Sequence, residues 1–178
     1  MEKPPQALPL GAEDWGYPNC RECGYSWDTA FHEARSLIES TPVRYAELLK
    51  DSREPRSKPD DRTWSPSGYV WHLSDWFRIQ GQRIYAIAHD PDFEYAKLGS
   101  DPDGLNDIFK YDEQSTPGGL WALEQATKLA VLAIDETDPK LVFVHPDGPK
   151  WTVLELVVYL GHESVHHELD IRRGLGLS

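Results

Sequence analysis

Helix-start signals divide this chain. Thr41-Pro42, Ser65-Pro66 and Thr116-Pro117 each place a hydroxyl residue before a proline. Proline is favoured at the first helical position, because the N–H it lacks would have no intrahelical partner there. Thr152-Val153-Leu154-Glu155 adds a capping box, in which hydroxyl and carboxylate satisfy backbone N–H groups reciprocally. Apolar residues recur at helical spacing around these signals. Asp28 opens a first segment as N-cap, with Phe31, Ala34, Leu37 and Ile38 on one side. Pro42 predicts a break there, after which Tyr45, Leu48 and Leu49 continue the apolar side. A second segment runs from Pro66 to near His89, with Val70, Leu73, Phe77, Ile84 and Ala88 in one stripe. A third covers Leu120 to Ile134, and a fourth ends about Arg173, before Gly174.

The connections complete the picture. Residues 51–63 read as a charged loop. Residues 90–116 are a long link for a compact domain, and predict a crossover that lets the third helix run parallel to the second. Leu141–Val144 is β-like but too isolated to make a sheet, and residues 145–149 read as a turn. Pro4, Pro5, Pro9 and Pro18 interrupt an N-terminal stretch without periodicity. The expected fold is all-α: a four-helix bundle over residues 27–178, with a long crossover between its second and third helices. An irregular N-terminal arm, residues 1–26, carries a Cys-x-x-Cys pair.

Charge and composition narrow the partners. Thirty Asp+Glu against 18 Lys+Arg give a formal charge of -12, and no Lys/Arg cluster stands out. This disfavours nucleic acid and anionic membranes, which require such clusters. No stretch approaches the roughly 18 apolar residues of a membrane span, and MEKPPQALPL lacks a signal-peptide core. Two cysteines do not make a disulfide framework. The expectation is a soluble cytoplasmic protein with a small-molecule substrate.

The chemistry concentrates in His162-Glu163-Ser164-Val165-His166-His167. His162 and His166 are one helical turn apart and project together, as two imidazoles on one ion must. Taking Leu154, Val158, Gly161, Val165 and Leu169 as the apolar stripe places His162 and His166 on its inner flank. Glu163 and His167 then fall toward solvent, His167 as a surface residue. His72, in Trp71-His72-Leu73-Ser74-Asp75, is the candidate third ligand. Three protein ligands with a position left open are the pattern of a catalytic rather than a structural metal. A single histidine on such a face is ordinarily a hydrogen-bonded polar residue, so the pair carries this reading. Asp75 and Asp170 are candidate acceptors for ring N–H groups, although a solvated carboxylate explains Asp170 as simply. Arg83 is a candidate for an anionic substrate, with a salt bridge as the plainer role.

Cys20 and Cys23 have the spacing of half a zinc knuckle, and no further cysteine exists to complete it. His32 or His145 could do so. A second metal site, a redox pair, a disulfide, or two plain thiols all remain open, as does an arm that folds over the bundle and lines the pocket. Asp101–Asp107 has its glycine misplaced for a calcium loop and lacks the closing glutamate at the required spacing, and reads as a solvated turn. Trp71 and Trp76 suit the core, or an aromatic wall beside a metal.

Trp64-Ser65-Pro66 through Asp75, and Tyr159 through Ile171, resemble the second and fourth helices of the DinB-like metal-binding four-helix bundles. That superfamily includes mycothiol-dependent maleylpyruvate isomerase and the mycothiol and bacillithiol S-transferases. The resemblance spans residues 27–174, and Cys20-Arg21-Glu22-Cys23-Gly24 resembles an arm of an actinobacterial subgroup. It implies a divalent metal, zinc or else nickel, held by His72, His162 and His166. In the isomerase branch the first member of the pair is a glutamate; placing His162 there implies an all-histidine set. The activity implied is metal activation of a low-molecular-weight thiol, such as mycothiol, for S-transfer or isomerisation of a small electrophile. A metal-dependent hydrolase and a non-catalytic metal- or small-molecule-binding bundle are the alternatives. A homodimer fits the same resemblance.

Overall fold

Side-chain caps start three of the four long helices. The computed structural model describes residues 11–52, 55–58, 64–90, 102–144 and 150–177. Ser65 Oγ accepts from the Gly68 N–H at 3.0 Å and opens α3, Pro66–His89. Ser115, one residue before the expected Thr116, accepts from the Gly118 N–H at 3.0 Å and opens α5, Thr116–Asp135. The capping box forms as expected: Glu155 Oε2 accepts from the Thr152 N–H at 2.7 Å, and α6 runs Val153–Gly174.

The remaining long helix, α2, differs from expectation. It spans Phe31–Leu49 without a break at Pro42, and Ala30 rather than Asp28 occupies its N-cap. Proline cannot donate to the carbonyl one turn back. Side chains hold the backbone beside this gap: the Leu37 carbonyl accepts from Thr41 Oγ1 at 2.8 Å and Arg44 Nη2 at 3.1 Å.

Contacts along the helices establish their directions. A Cβ built on Gly81 of α3 would lie 2.9 Å from Ala130 Cα of α5, while Trp71 Nε1 donates to the Ser115 carbonyl at 3.1 Å. Early residues meet early ones, so α3 and α5 run parallel. Ala34 meets Gly161 and Arg44 pairs with Glu168, so α2 and α6 are also parallel. Pro66 meets Gly174, and Trp76 packs near Tyr159, which makes α3 and α6 antiparallel. A parallel α3–α5 pair requires the crossover expected over residues 90–116. Its described part is not a structureless link: it contains α4, Pro102–Phe109, and a 3-10 turn, Tyr111–Glu113. A helix thus replaces most of the turn expected at 101–107. Asp112 fastens the crossover to the start of α3, accepting from Ser65 N at 2.7 Å and pairing with Lys58 at 2.8 Å.

One further expectation changes. Val142–Val144 (β1) is not isolated, but pairs antiparallel with Lys150–Thr152 (β2), which leads into α6. The turn expected at 145–149 lies outside the described residues. The described part of the arm, from Gly11 onward and including the short helix α1, Ala12–Trp15, closes over α6. Its Ala12, Cys20 and Tyr25 are buried, as is Trp27 just after it, and Tyr25 donates to the Val158 carbonyl at 2.9 Å. The core gathers Ile38, Tyr45, Leu73, Phe77, Leu123 and Leu160. Among the described residues, no helix is long and apolar enough to cross a membrane.

Gly81→Val should force α3 from α5 and cost about 1–3 kcal/mol, the range for overpacking, read as a lower urea midpoint. Burial alone would raise the Asp112 carboxyl, but Lys58 and the Ser65 N–H and hydroxyl outweigh it and hold it below the usual range. Its contribution is therefore full above the ordinary carboxylate range and is lost as pH falls through the depressed value. Asp112→Ala should be less stable near neutrality, and the difference from the parent should shrink in acid unfolding curves.

Candidate metal centres

Helix α6 presents two consecutive i,i+4 pairs. Successive helical residues are turned by about 100°, so His162/His166 and Glu163/His167 look out on adjacent sides. The arm covers the first side and α3 the second. Neither side is left to solvent: His162 is 0% exposed, Glu163 8% and His166 4%. The apolar stripe assigned to this helix misjudged the packing, since Leu154 is 41% exposed.

His72 of α3 joins the second pair. One ligand atom each from His72, Glu163 and His167 lie within 4.8 Å of one another. The His72 and His167 rings meet edge-on at 4.9 Å. His167 Nε2 lies 3.4 Å from Glu163 Oε2, and its Nδ1 is 3.0 Å from Asp170 Oδ2. A carboxylate behind one ring nitrogen orients the other toward a ligand. Burial pushes His72 down to about 3, so it is neutral at physiological pH. Burial also works against charge on His167, but Asp170 and Glu163 prevail and lift it to about 9. Burial would raise Glu163, yet His162 and His167 hold it well below the carboxylate range. The group therefore offers a neutral imidazole, a carboxylate, and an imidazole whose proton an ion can displace. Trp64 packs 4.5 Å from His72, Trp76 6.3 Å and Tyr111 6.5 Å, while Tyr69 stacks on His167 at 5.2 Å.

His162 and His166 meet the arm instead. One ligand atom each from Cys20, Cys23, His162 and His166 also lie within 4.8 Å of one another. Both cysteines are free thiols; Cys20 is buried and Cys23 half-buried. Cys20 Sγ is 3.7 Å from His166 Nδ1. His162 Nδ1 lies 3.3 Å from Glu163 Oε1, but neither of its buried ring nitrogens has an aligned hydrogen-bond partner.

The expected ligand set is thus divided. His72, His162 and His166 do not gather, because α6 is enclosed on two sides and its pairs serve different neighbours. His167 is half-buried in a centre rather than on the surface. The cysteines meet His162 and His166; His32 is exposed on α2 and His145 lies outside the described residues. Asp170 does back a histidine, namely His167, with His166 Nε2 at 3.8 Å. Asp75 touches neither centre: it accepts from Tyr111 Oη at 2.7 Å and from Arg78 at 2.8 Å. Arg83 is three helical turns from His72 and donates to Gln80 at 3.4 Å. Trp71 packs between α3 and α5, whereas Trp76 lines the first centre. A groove of about 990 Å³ lies elsewhere, between α2 and α5, beside Val43, Trp121 and Leu132.

The fold has a solved counterpart. The chain is similar to a Bacillus subtilis protein, YfiT, described as a probable metal-dependent hydrolase with an unusual four-helix bundle topology. The TM-score is 0.64 at 18% identity, over 100% of this chain and 95% of that one. No family model matches the sequence, and no curated protein matches it.

Asp170→Asn keeps the side chain's size but removes its charge behind His167. It should weaken divalent-metal binding at the His72 group by about 10–100-fold, measured by competition with a chelator.

Proposed function

We propose that this chain is a metal-dependent enzyme of the DinB-like superfamily, with His72, Glu163 and His167 as the ligands of its catalytic ion. The observation that carries this reading is the donor set itself: two histidines and a glutamate, with Asp170 fixing one ring. Two histidines and a glutamate leave a fourth position of a tetrahedral ion for water or substrate. Zinc suits these donors, with nickel as the alternative. A divalent ion so held acts as a Lewis acid and lowers the pKa of a bound water or thiol.

The residues around the ligands have separate tasks. Asp170 accepts the Nδ1 proton of His167 and leaves Nε2 free to face the ion. Asp75 accepts from the Tyr111 hydroxyl and steadies that ring beside His72. Trp64, Trp76 and Tyr111 supply apolar surface that suits an organic substrate. Burial and the Asp75 carboxylate keep the Tyr111 phenol protonated.

Hydrolysis of a small ester or amide is the reaction favoured. The donor set is one that hydrolytic zinc enzymes use, and the likeness to YfiT points the same way. Thiol transfer is the second reading. It draws on the resemblance to the isomerase branch, whose ligand pair begins with a glutamate, as the Glu163/His167 pair does.

Metal-loaded protein should hydrolyse members of an ester and amide panel with no thiol added. Product that forms only with an added thiol and an electrophile would favour transfer instead. His72→Ala and Glu163→Gln should each lower kcat/KM by at least about 100-fold, as expected when a ligand is removed. Full activity in both variants would refute the assignment.

A further inference from the structure

The proposed activity leaves Cys20, Cys23, His162 and His166 without a task. We propose that these four side chains bind a structural zinc ion that pins the N-terminal arm to α6. The sequence spacing is Cys-x2-Cys followed by His-x3-His, the ligand pattern of closed Cys2His2 sites. Bond lengths of about 2.3 Å to sulfur and 2.0–2.1 Å to nitrogen imply donor–donor edges of roughly 3.3–3.8 Å in a tetrahedron. The 3.7 Å between Cys20 Sγ and His166 Nδ1 already has that length. The remaining pairs lie within 4.8 Å, close enough for small side-chain shifts to complete the figure.

Three further observations support an ion. His162 is fully buried, with neither ring nitrogen in an aligned hydrogen bond; such a group needs a partner. The cysteine turn is held in shape: the Gly24 N–H donates to the Cys20 carbonyl at 3.0 Å, and Gly24 takes a φ of 74°. The Cys20 N–H donates to the Tyr25 carbonyl at 2.8 Å. Two thiolates would also cancel the charge of a divalent ion, so the loaded site carries no net charge into the interior.

The surroundings indicate a structural ion, not a second catalytic one. Four protein donors fill a tetrahedron. Trp15 lies 4.4 Å from His166, Trp27 4.6 Å from His162, and Tyr25 5.7 Å from His162. These rings close the centre. His162 touches Glu163 across 3.3 Å, so fixing His162 also fixes the rotation of α6 that aims Glu163 and His167 at His72. The sites are neighbours, but each has its own ligands.

Cobalt substitution tests this directly. Cobalt-loaded protein should show a near-ultraviolet thiolate-to-cobalt charge-transfer band and the strong visible bands of a tetrahedral ion. Both should persist in His72→Ala, which separates this site from the proposed catalytic one. Cys20→Ser/Cys23→Ser should lose the band and one zinc per chain, and its arm should be cleaved faster in limited proteolysis. Should that variant not fold, X-ray absorption on zinc-loaded His72→Ala should find two sulfur and two nitrogen neighbours. Absence of the thiolate band in cobalt-loaded parent protein would overturn the proposal. So would alkylation of both cysteines at equal rates with and without zinc, or a Cys20–Cys23 disulfide in protein purified with zinc.

Discussion

Enclosure of α6 on two sides is the constraint on which the rest depends. From Leu160 to Ser164, and again at His166, this helix is buried although four of those six residues are polar. Buried polar groups are costly unless paired. Most of these side chains have a neighbour that makes burial tolerable, and His162 is the one whose ring nitrogens lack an aligned hydrogen bond. Ser164 meets Thr41 Oγ1 at 2.7 Å, and its carbonyl accepts from Tyr45 Oη at 2.8 Å. Glu163 lies between His162 and His167, and His166 faces Cys20. A 100° step between consecutive residues then turns one six-residue segment into parts of two centres.

The scaffold supplies the facing partners. Gly81 lets α3 and α5 approach closely and in parallel, an arrangement that needs a crossover in place of a short turn. That crossover returns Tyr111 to the wall beside His72, while Asp112 ties it to the first turn of α3. The same residues that set the topology thus shape the approach to the first centre. The arm does the equivalent on the other side, bringing Cys20 and the rings of Trp15 and Trp27 onto α6.

Much of the architecture was legible in local chemistry. Ser65-Pro66 and the Thr152/Glu155 box mark helix starts because caps act within one turn, and no distant contact can move them far. Pro42 misled, because tertiary hydrogen bonds around Leu37 and Arg44 carry the helix through it. The β hairpin was missed because its second strand is only three residues long and runs straight into a cap. At the site, residue types and spacings were legible but their grouping was not. Periodicity assumes one buried face and one wet face; here α3 covers the Glu163/His167 face read as wet, and an arm without periodicity covers the His162/His166 face. The clue available was the doubled pattern, His-x3-His and Glu-x3-His offset by one residue, together with a Cys-x2-Cys lacking its other half.

The central claim is that α6 divides its donors between two ions. Anomalous diffraction from crystals of zinc-loaded protein, recorded on either side of the zinc edge, tests it most directly. The account predicts two peaks per chain, one among His72, Glu163 and His167 and one among Cys20, Cys23, His162 and His166. A single peak ligated by His72, His162 and His166 together would contradict it.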